Sequence, residues 1–541
     1  MYRRTGLMAK LTFATIILAG LFMPKASSAS NLPFDDIDDS YAKQAIIDLY
    51  NKKIITGTSS TSFSPTRSMT RAEFIAVLNR LLKLEQVFSP VSPYADVPKS
   101  AWYYGWIQAA VQLELVSGTS ATTFAPNKQI TRQEAAVLLT NALKLSGNTN
   151  GSGVSFKDID DIAEWALDSV AEVNKLKLMV GDDHSRFRPS DPIKRQEAAI
   201  LLSRVLKQDG WEAELNAAPD DRIVMGWQYG QTVDEYTSTI KKSNVNTLSP
   251  RWYFVGNTGE VTDVTDSSLV TWAKKNNKKV WAMVGNRSNQ EATHELLSSA
   301  TARNNAVNQL AAKAKQYGVD GLNLDFENVA PADRAYFTAF VTELAAKLHA
   351  MNKTLSVDVS PDLGTDWTEA FDYAKLGKQA DYIVLMGYDE HYGGSLYPGP
   401  NASLPYVRSA INTLMKAVDP AKIILALPFY NRDWTLNPNG TAASSSYLTF
   451  TEQNGLIEKL SLRPVWDAEL GQYVAGYTKQ SLVHSIWIED GRSLIAKYKL
   501  VATKGLAGIA YWHIGGESPD IWPSMRNAER YYDYRFETGN S

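Results

Sequence analysis

The chain has 541 residues, 55 lysines and arginines against 58 aspartates and glutamates, a net charge of −3 and no cysteine. That length predicts several domains, since one domain runs to roughly 100–200 residues. The near-neutral balance disfavours a nucleic-acid partner, and the missing cysteines exclude disulfides, thiolate metal sites and a cysteine nucleophile.

At the N-terminus Arg3, Arg4 and Lys10 flank an apolar run from Leu11 to Met23, followed by Pro24 and the small residues Ala26-Ser27-Ser28-Ala29. This order reads as a secretory signal over residues 1–29, cut near Ala29, because the run is short for a membrane span. No later stretch is apolar enough to cross a membrane, so the expectation is a secreted chain with no span after cleavage. Secretion without cysteine suits a Gram-positive surface.

Residues 34–207 then repeat three times. Ser62-Phe63-Ser64-Pro65 leads to Met69-Thr70-Arg71-Ala72-Glu73, Thr123-Phe124-Ala125-Pro126 to Ile130-Thr131-Arg132-Gln133-Glu134, and Arg186-Phe187-Arg188-Pro189 to Ile193-Lys194-Arg195-Gln196-Glu197. Gly57, Gly118 and Gly181 fall at matching places, and Asp36, Asp96 and Asp158 open the units, where they are expected to cap helices. Each unit reads as helix, turn, loop and helix. Thr70 and Thr131 are N-caps with Glu73 and Glu134 at the capping-box position, whereas Lys194 breaks the pattern and needs a cap from elsewhere. The units span 34–85, 94–145 and 156–207, with a Ser/Gly/Asn-rich linker at 146–155 and a second linker at 208–221. They resemble the S-layer homology domain. The resemblance implies a three-lobed, mainly α-helical module that binds secondary cell-wall polysaccharide, with Arg71, Arg132 and Arg195 matching the family's anion-contacting arginine. An arginine at a helix start suits that task, since it can hold a carboxylate bidentately with help from the helix dipole.

From residue 222 to the end, apolar strand-like runs alternate with amphipathic stretches. Candidate strands are 223–229, 247–255, 279–285, 321–327, 354–360, 382–388, 423–430 and 508–514. Eight such units fit an α/β fold, a (β/α)8 barrel over 222–541 with catalytic groups at the C-terminal strand ends. Residues 435–487 are too long for a simple loop and read as a small insertion between the seventh and eighth strands. Its aromatics Trp466, Tyr473 and Trp487 are read chiefly as packing.

Within the fourth strand, Leu322, Leu324 and Phe326 alternate with Asn323, Asp325 and Glu327. Period two puts the three polar groups on one face, and carboxylates on a buried strand are costly unless paired or used. Asp320-Gly-Leu-Asn323-Leu-Asp325-Phe-Glu327 resembles the signature of glycoside hydrolase family 18, the chitinase family, with Asn323 where an Asp is common. Leu385-Met386-Gly387-Tyr388-Asp389, the segment Leu427 to Trp434 and Gly508-Ile509-Ala510-Tyr511-Trp512 resemble three further motifs of that family, in order. The resemblance implies Glu327 as general acid/base, Asp325 orienting the substrate acetamido group, Tyr388 holding its oxygen and Trp512 as the apolar floor. Asp389, Asn323 and Arg432 are then expected to line the substrate site.

The reading is therefore a wall-anchored retaining glycosidase acting on N-acetylglucosamine polysaccharide, peptidoglycan or chitin, through the substrate's own acetamido group. No cofactor is called for, and the six histidines show no metal-ligand spacing. An inactive, lectin-like barrel or a purely structural S-layer component is the alternative, which the presence of Glu327, Asp325 and Tyr388 disfavours. Since Asn323 cannot titrate, Asp325 is expected to stay ionised throughout the cycle.

Overall fold

The computed structural model describes residues 32–145, 155–362, 364 and 366–537; the expected signal segment and residues 146–154 lie outside them. In the N-terminal region each unit contributes two helices: Lys43–Asn51 and Arg71–Leu81, Tyr104–Gln112 and Arg132–Ala142, Glu164–Lys175 and Arg195–Leu206. The second helix of each unit packs on the first helix of the next, and the third unit closes back on the first. On the axis of this ring Met69 N–H donates to Ile193, Ile130 to Met69 and Ile193 to Ile130, each at 3.0 Å. No unit is therefore complete without its neighbours.

The helix starts show the same dependence. Thr70 with Glu73 and Thr131 with Glu134 form capping boxes as expected. At Lys194 only half the box survives, with Glu197 accepting from the Lys194 N–H at 2.8 Å. The first unit's Arg67 and Pro65 carbonyls accept from the N–H groups of Arg195 and Gln196 at 2.9 Å, so the first two N–H groups of this helix are satisfied from another unit. Equivalent cross-unit bonds serve Arg71 and Arg132.

Arg71, Arg132 and Arg195 are only 6, 6 and 7% exposed. Each reaches into the next unit's loop. Arg195 donates to Phe63 and Thr56 carbonyls at 2.7 and 2.6 Å and lies 4.3 Å from the Phe63 ring centroid. Arg132 does the same to Phe187 and Val180, and Arg71 to Phe124 and Ser117. The opening aspartates do not cap helices. Asp36 instead clamps the loop of its own unit, accepting from Phe63 and Ser64 N–H at 2.7 Å, and Asp96 and Asp158 repeat this. The recurring Gly57 has a steric reason: a Cβ there would sit 2.5 Å from the Phe34 ring.

The C-terminal region contains the eight expected strands. In chain order the strands are β1 (Ile223–Gln228), β2 (Thr247–Val255), β3 (Val261–Asp263), β4 (Lys279–Gly285), β5 (Gly321–Asp325), β6 (Thr354–Val359), β7 (Tyr382–Met386), β8 (Ile423–Pro428), β9 (Tyr430–Leu436), β10 (Ala442–Thr449), β11 (Val465–Asp467), β12 (Gln472–Lys479), β13 (Leu482–Ile488) and β14 (Gly508–Trp512). Strands β1, β2, β4, β5, β6, β7, β8 and β14 form a parallel barrel closed by pairing of β1 with β2, and β3 is an antiparallel appendage on β2. Met225, Trp227, Trp281, Met283 and Ile424 fill the interior. Strands β9–β13 make a separate five-stranded antiparallel sheet. This insertion starts at Tyr430 rather than at 435, because Asn431 is already buried in it, bonded to Gln453 at 2.7 Å and to the Trp487 carbonyl. Tyr473 is buried there against Trp466, a packing role.

The expected linker at 208–221 holds a helix, Trp211–Asn216, because Trp211 and Leu215 have somewhere to bury. The repeats rest on the barrel's last helix, Ile521–Asp533: Arg526 pairs bidentately with Glu85 at 2.7 and 2.8 Å, Tyr531 donates to Asn141 and Tyr534 to Leu82. Among the described residues no helix is long and apolar enough to cross a membrane.

Because Arg195 knits the third unit to the first, Arg195→Ala should destabilise the repeats by roughly 2–4 kcal/mol, through two unpaired carbonyls and a lost ring contact. Lysine lacks the planar fork and should recover only part. Calorimetry of the full chain checks this; an unshifted first transition contradicts it.

Candidate active site

Strand β5 sorts its side chains as period two requires. Leu322, Leu324 and Phe326 are at most 1% exposed and face the helices, where Phe326 stacks on Phe340 with centroids 5.4 Å apart. Asn323, Asp325 and Glu327 face the barrel interior and its C-terminal mouth.

Asn323 is fully buried and makes four side-chain hydrogen bonds. Its Oδ1 accepts from Trp227 Nε1 at 2.8 Å and Ser249 Oγ at 3.1 Å; its Nδ2 donates to Ser356 Oγ at 3.0 Å and Asp358 Oδ1 at 2.6 Å. The β5–β6 register aligns Asn323 with Ser356 and Leu324 with Val357, which brings Asp358 alongside Asp325. A second carboxyl is thus present after all, on the next strand, and it corrects the expectation that Asp325 stays ionised throughout the cycle for want of a titrating neighbour. Asp358, 2% exposed, is the residue sequence reasoning missed. Its strand carried the signal: Ser356 and Asp358 alternate with Leu355, Val357 and Val359, the pattern already used for β5.

Asp325 is pushed up to about 8 by burial and by Glu327, with Arg251 pulling it back. Asp358 is pushed well up by burial and by Asp325. Two adjacent carboxyls, Asp358 buried and Asp325 half-buried, favour sharing one proton over full ionisation. Asp325 Oδ1 is enclosed and has no hydrogen-bond partner among the described residues.

Glu327 lies just past the end of β5. Its Oε2 accepts from Ser288 Oγ at 2.7 Å, and Asn286 brackets its backbone, accepting from its N–H at 3.1 Å and donating to its carbonyl at 2.7 Å. Glu327, Tyr388 and Asp389 line one cavity of about 570 Å³ with Trp367, Met386 and Tyr392. Asp389 accepts from Tyr430 Oη at 2.6 Å, and Arg432 Nη2, from the inserted sheet, stands 3.9 Å from it. Trp512 ends β14 at the mouth, its ring 5.7 Å from Trp227 and 5.5 Å from Tyr229. The barrel thus gathers Glu327, Asp325, Tyr388, Asp389, Asn323, Arg432 and Trp512 at one end. Arg71, Arg132 and Arg195 belong to the repeats, where Arg195 also lines a groove of about 390 Å³ with Arg67, Arg80 and Trp102.

A family model described as glycosyl hydrolases family 18 matches residues 221–517, and one described as S-layer homology domain matches 33–75, 93–136 and 155–199. The chain is 27% identical over 319 residues to the uncharacterized glycosylase YvbX of Bacillus subtilis (strain 168), covering 57% of this chain and 92% of that one. It is 26% identical over 272 residues to the cortical fragment-lytic enzyme of the same organism, across 47% of this chain and 61% of the relative, so it spans less than two thirds of that enzyme. A solved chitinase from Chromobacterium violaceum ATCC 12472 shares the fold, with a TM-score of 0.51 at 24% identity over 57% of this chain and 98% of that one.

The buried pair makes a signed prediction. A carboxyl raised in the folded state keeps a proton that the unfolded chain loses near pH 4, so folding stability falls as pH climbs from about 4 towards about 8. Asp358→Asn removes one buried acid while leaving Asn323 an acceptor. The variant should melt with wild type near pH 4 and increasingly above it towards pH 8, by roughly 1–3 kcal/mol. Thermal melts across that range check this; a variant less stable than wild type at pH 8 contradicts it.

Proposed function

Since this chain belongs to family 18 of the glycosyl hydrolases, we propose that it hydrolyses β-linked N-acetylglucosamine glycans with retention, the substrate's acetamido group acting as nucleophile. Glu327 protonates the glycosidic oxygen while the acetamido oxygen attacks the anomeric carbon, expelling the leaving sugar and closing an oxazolinium ring. Glu327, now a carboxylate, takes a proton from water, whose oxygen attacks the same carbon and reopens the ring. Tyr388 donates to the acetamido oxygen, and Trp512 supports the sugar from below.

The observation that carries this reading is the enclosed Asp325 Oδ1, an acceptor with no partner, beside the acid Glu327. A small turn of this half-buried carboxyl would bring it to accept from an acetamido N–H at the mouth. As positive charge grows on the ring, the shared proton stays with Asp358 and Asp325 supplies the counter-charge. Asn323 holds Asp358 in place for this.

The S-layer homology repeats hold the enzyme to secondary cell-wall polysaccharide at the cell surface. Acidic wall polymer fits the Arg67, Arg80 and Arg195 groove. The buried faces of Arg71, Arg132 and Arg195 are already engaged in joining the units, so their replacement by alanine would probe folding as much as contact.

Glu327→Gln should lower turnover of a soluble chromogenic N-acetylglucosamine oligomer on the order of 10²–10⁴ fold. The same variant should still sediment with purified wall sacculi as wild type does. Undiminished turnover contradicts the catalytic assignment, and failure of both proteins to sediment contradicts the anchoring.

A further inference from the structure

Two cations at the barrel mouth touch no substrate group in the chemistry above, though Arg251 also draws the Asp325 carboxyl down. Arg251 lies on β2, two residues beyond Ser249, whose hydroxyl reaches Asn323, so its side chain points into the same interior nearer the mouth. Its guanidinium lies 5.4 Å from the Tyr229 ring centroid and 5.0 Å from that of Phe254. Arg287 follows β4 and is exposed, its guanidinium 3.9 Å from the Phe254 centroid. Neither guanidinium has an ion-pair or hydrogen-bond partner among the described residues, and Arg251 Nε is enclosed without one. Arg432, the other arginine here, has Asp389 nearby. The enclosed Nε leaves the terminal nitrogens of Arg251, and those of exposed Arg287, as the donors a ligand at the mouth would meet.

The backbone fixes where that something would lie. Arg287 and Ser288 have φ of +55° and +52°, and Asn328 opposite has +53°, a left-handed conformation that non-glycine residues adopt at a cost. Hydrogen bonds hold the two loops in it: Asn286 Oδ1 accepts from both Ser288 and Glu327 N–H, Asn328 Nδ2 donates to the Ser288 carbonyl at 3.1 Å, and Ser288 Oγ donates to Glu327 Oε2. The loop carrying Arg287 is therefore locked to the loop carrying the acid. A general acid must touch the oxygen that leaves, and that oxygen belongs to the leaving sugar.

We propose that Arg287, backed by Arg251, binds a carboxylate on the leaving-group sugar. This rests on the function proposed above and narrows its substrate class. The bond cut would join N-acetylglucosamine to an amino sugar bearing an acidic 3-O-lactyl arm, or a peptide linked through that arm, and not two sugars of an uncharged homopolymer. Phe254 beside both guanidinium planes, and Tyr229 beside that of Arg251, orient them and shield one face, which strengthens a bidentate contact. The paired charge also offsets the repulsion a substrate carboxylate would meet from Glu327 and Asp389.

The test uses alternating tetramers of N-acetylglucosamine and its lactyl ether, with the lactyl carboxyl free, the same carboxyl converted to its amide, or the arm carrying a stem peptide. The readout is the ratio of kcat/KM between acid and amide forms in the full chain. Wild type should favour a carboxylated form by roughly tenfold or more, the peptide form standing in for the free acid if the stem supplies the charge. Arg287→Gln should bring that ratio towards one, and Arg287→Lys should retain part of it. A wild type indifferent to the carboxyl in both forms, or an Arg287→Gln variant that keeps the full ratio, overturns the proposal. Wild type that cleaves none of the tetramers, nor a chitin tetramer, overturns the glycosidase reading and this inference with it.

Discussion

Three polar side chains on the inner face of one buried strand set the problem that the rest of the barrel solves. Asn323 would be costly at zero exposure with open donors or acceptors. Partners from β1, β2 and β6 close all four of its bonds. Those bonds fix β5 against its surroundings and hold Asp358 beside Asp325. Higher up the same face satisfaction stops, and Asp325 Oδ1 is enclosed without a partner beneath the mouth. The polar network is complete where it is structural and incomplete where a substrate would enter.

The repeats solve a different problem by a similar device. Each unit alone leaves helix faces and the first N–H groups of its second helix unsatisfied, so the three close into a ring and lend one another carbonyls. The recurring arginine is the seam of that ring before it is anything else, with a guanidinium edge also lining a groove. The Arg526–Glu85 pair and the Tyr531 and Tyr534 hydroxyls then seat the ring on the barrel's last helix. The three-unit ring and the hydrolase barrel are joined by an interface as well as by the chain.

Much of this was legible in the sequence where a pattern is local. The alternation from Leu322 to Glu327 gave the strand, its inner face and the acid, and the recurring Thr-Arg-x-Glu segments gave the repeats and two of the three capping boxes. What depended on contacts distant along the chain was not. Asp358 lies 35 residues from Asn323 and gains its meaning only from strand register. The arginines looked like exposed helix starts because nothing in one unit reveals that the next unit's loop covers them. The helix at Trp211–Asn216 was hidden in a stretch read as linker, since Trp211 meets Phe536 and the Glu537 carbonyl, more than three hundred residues away. The start of the insertion at Tyr430 was obscured because the apolar run of β8 continues into β9 with Phe429 alone between them.

The central claim is that the substrate supplies its own nucleophile while Asp325 balances the charge. Stepwise fluorination of the acetamido methyl weakens that oxygen as a nucleophile and changes little else. Hydrolysis of an aryl N-acetylglucosamine oligomer series with zero to three fluorines should slow steeply and monotonically with each fluorine, the β-configured hemiacetal appearing first by proton NMR. A rate indifferent to fluorine, or an α-configured first product, would contradict the account.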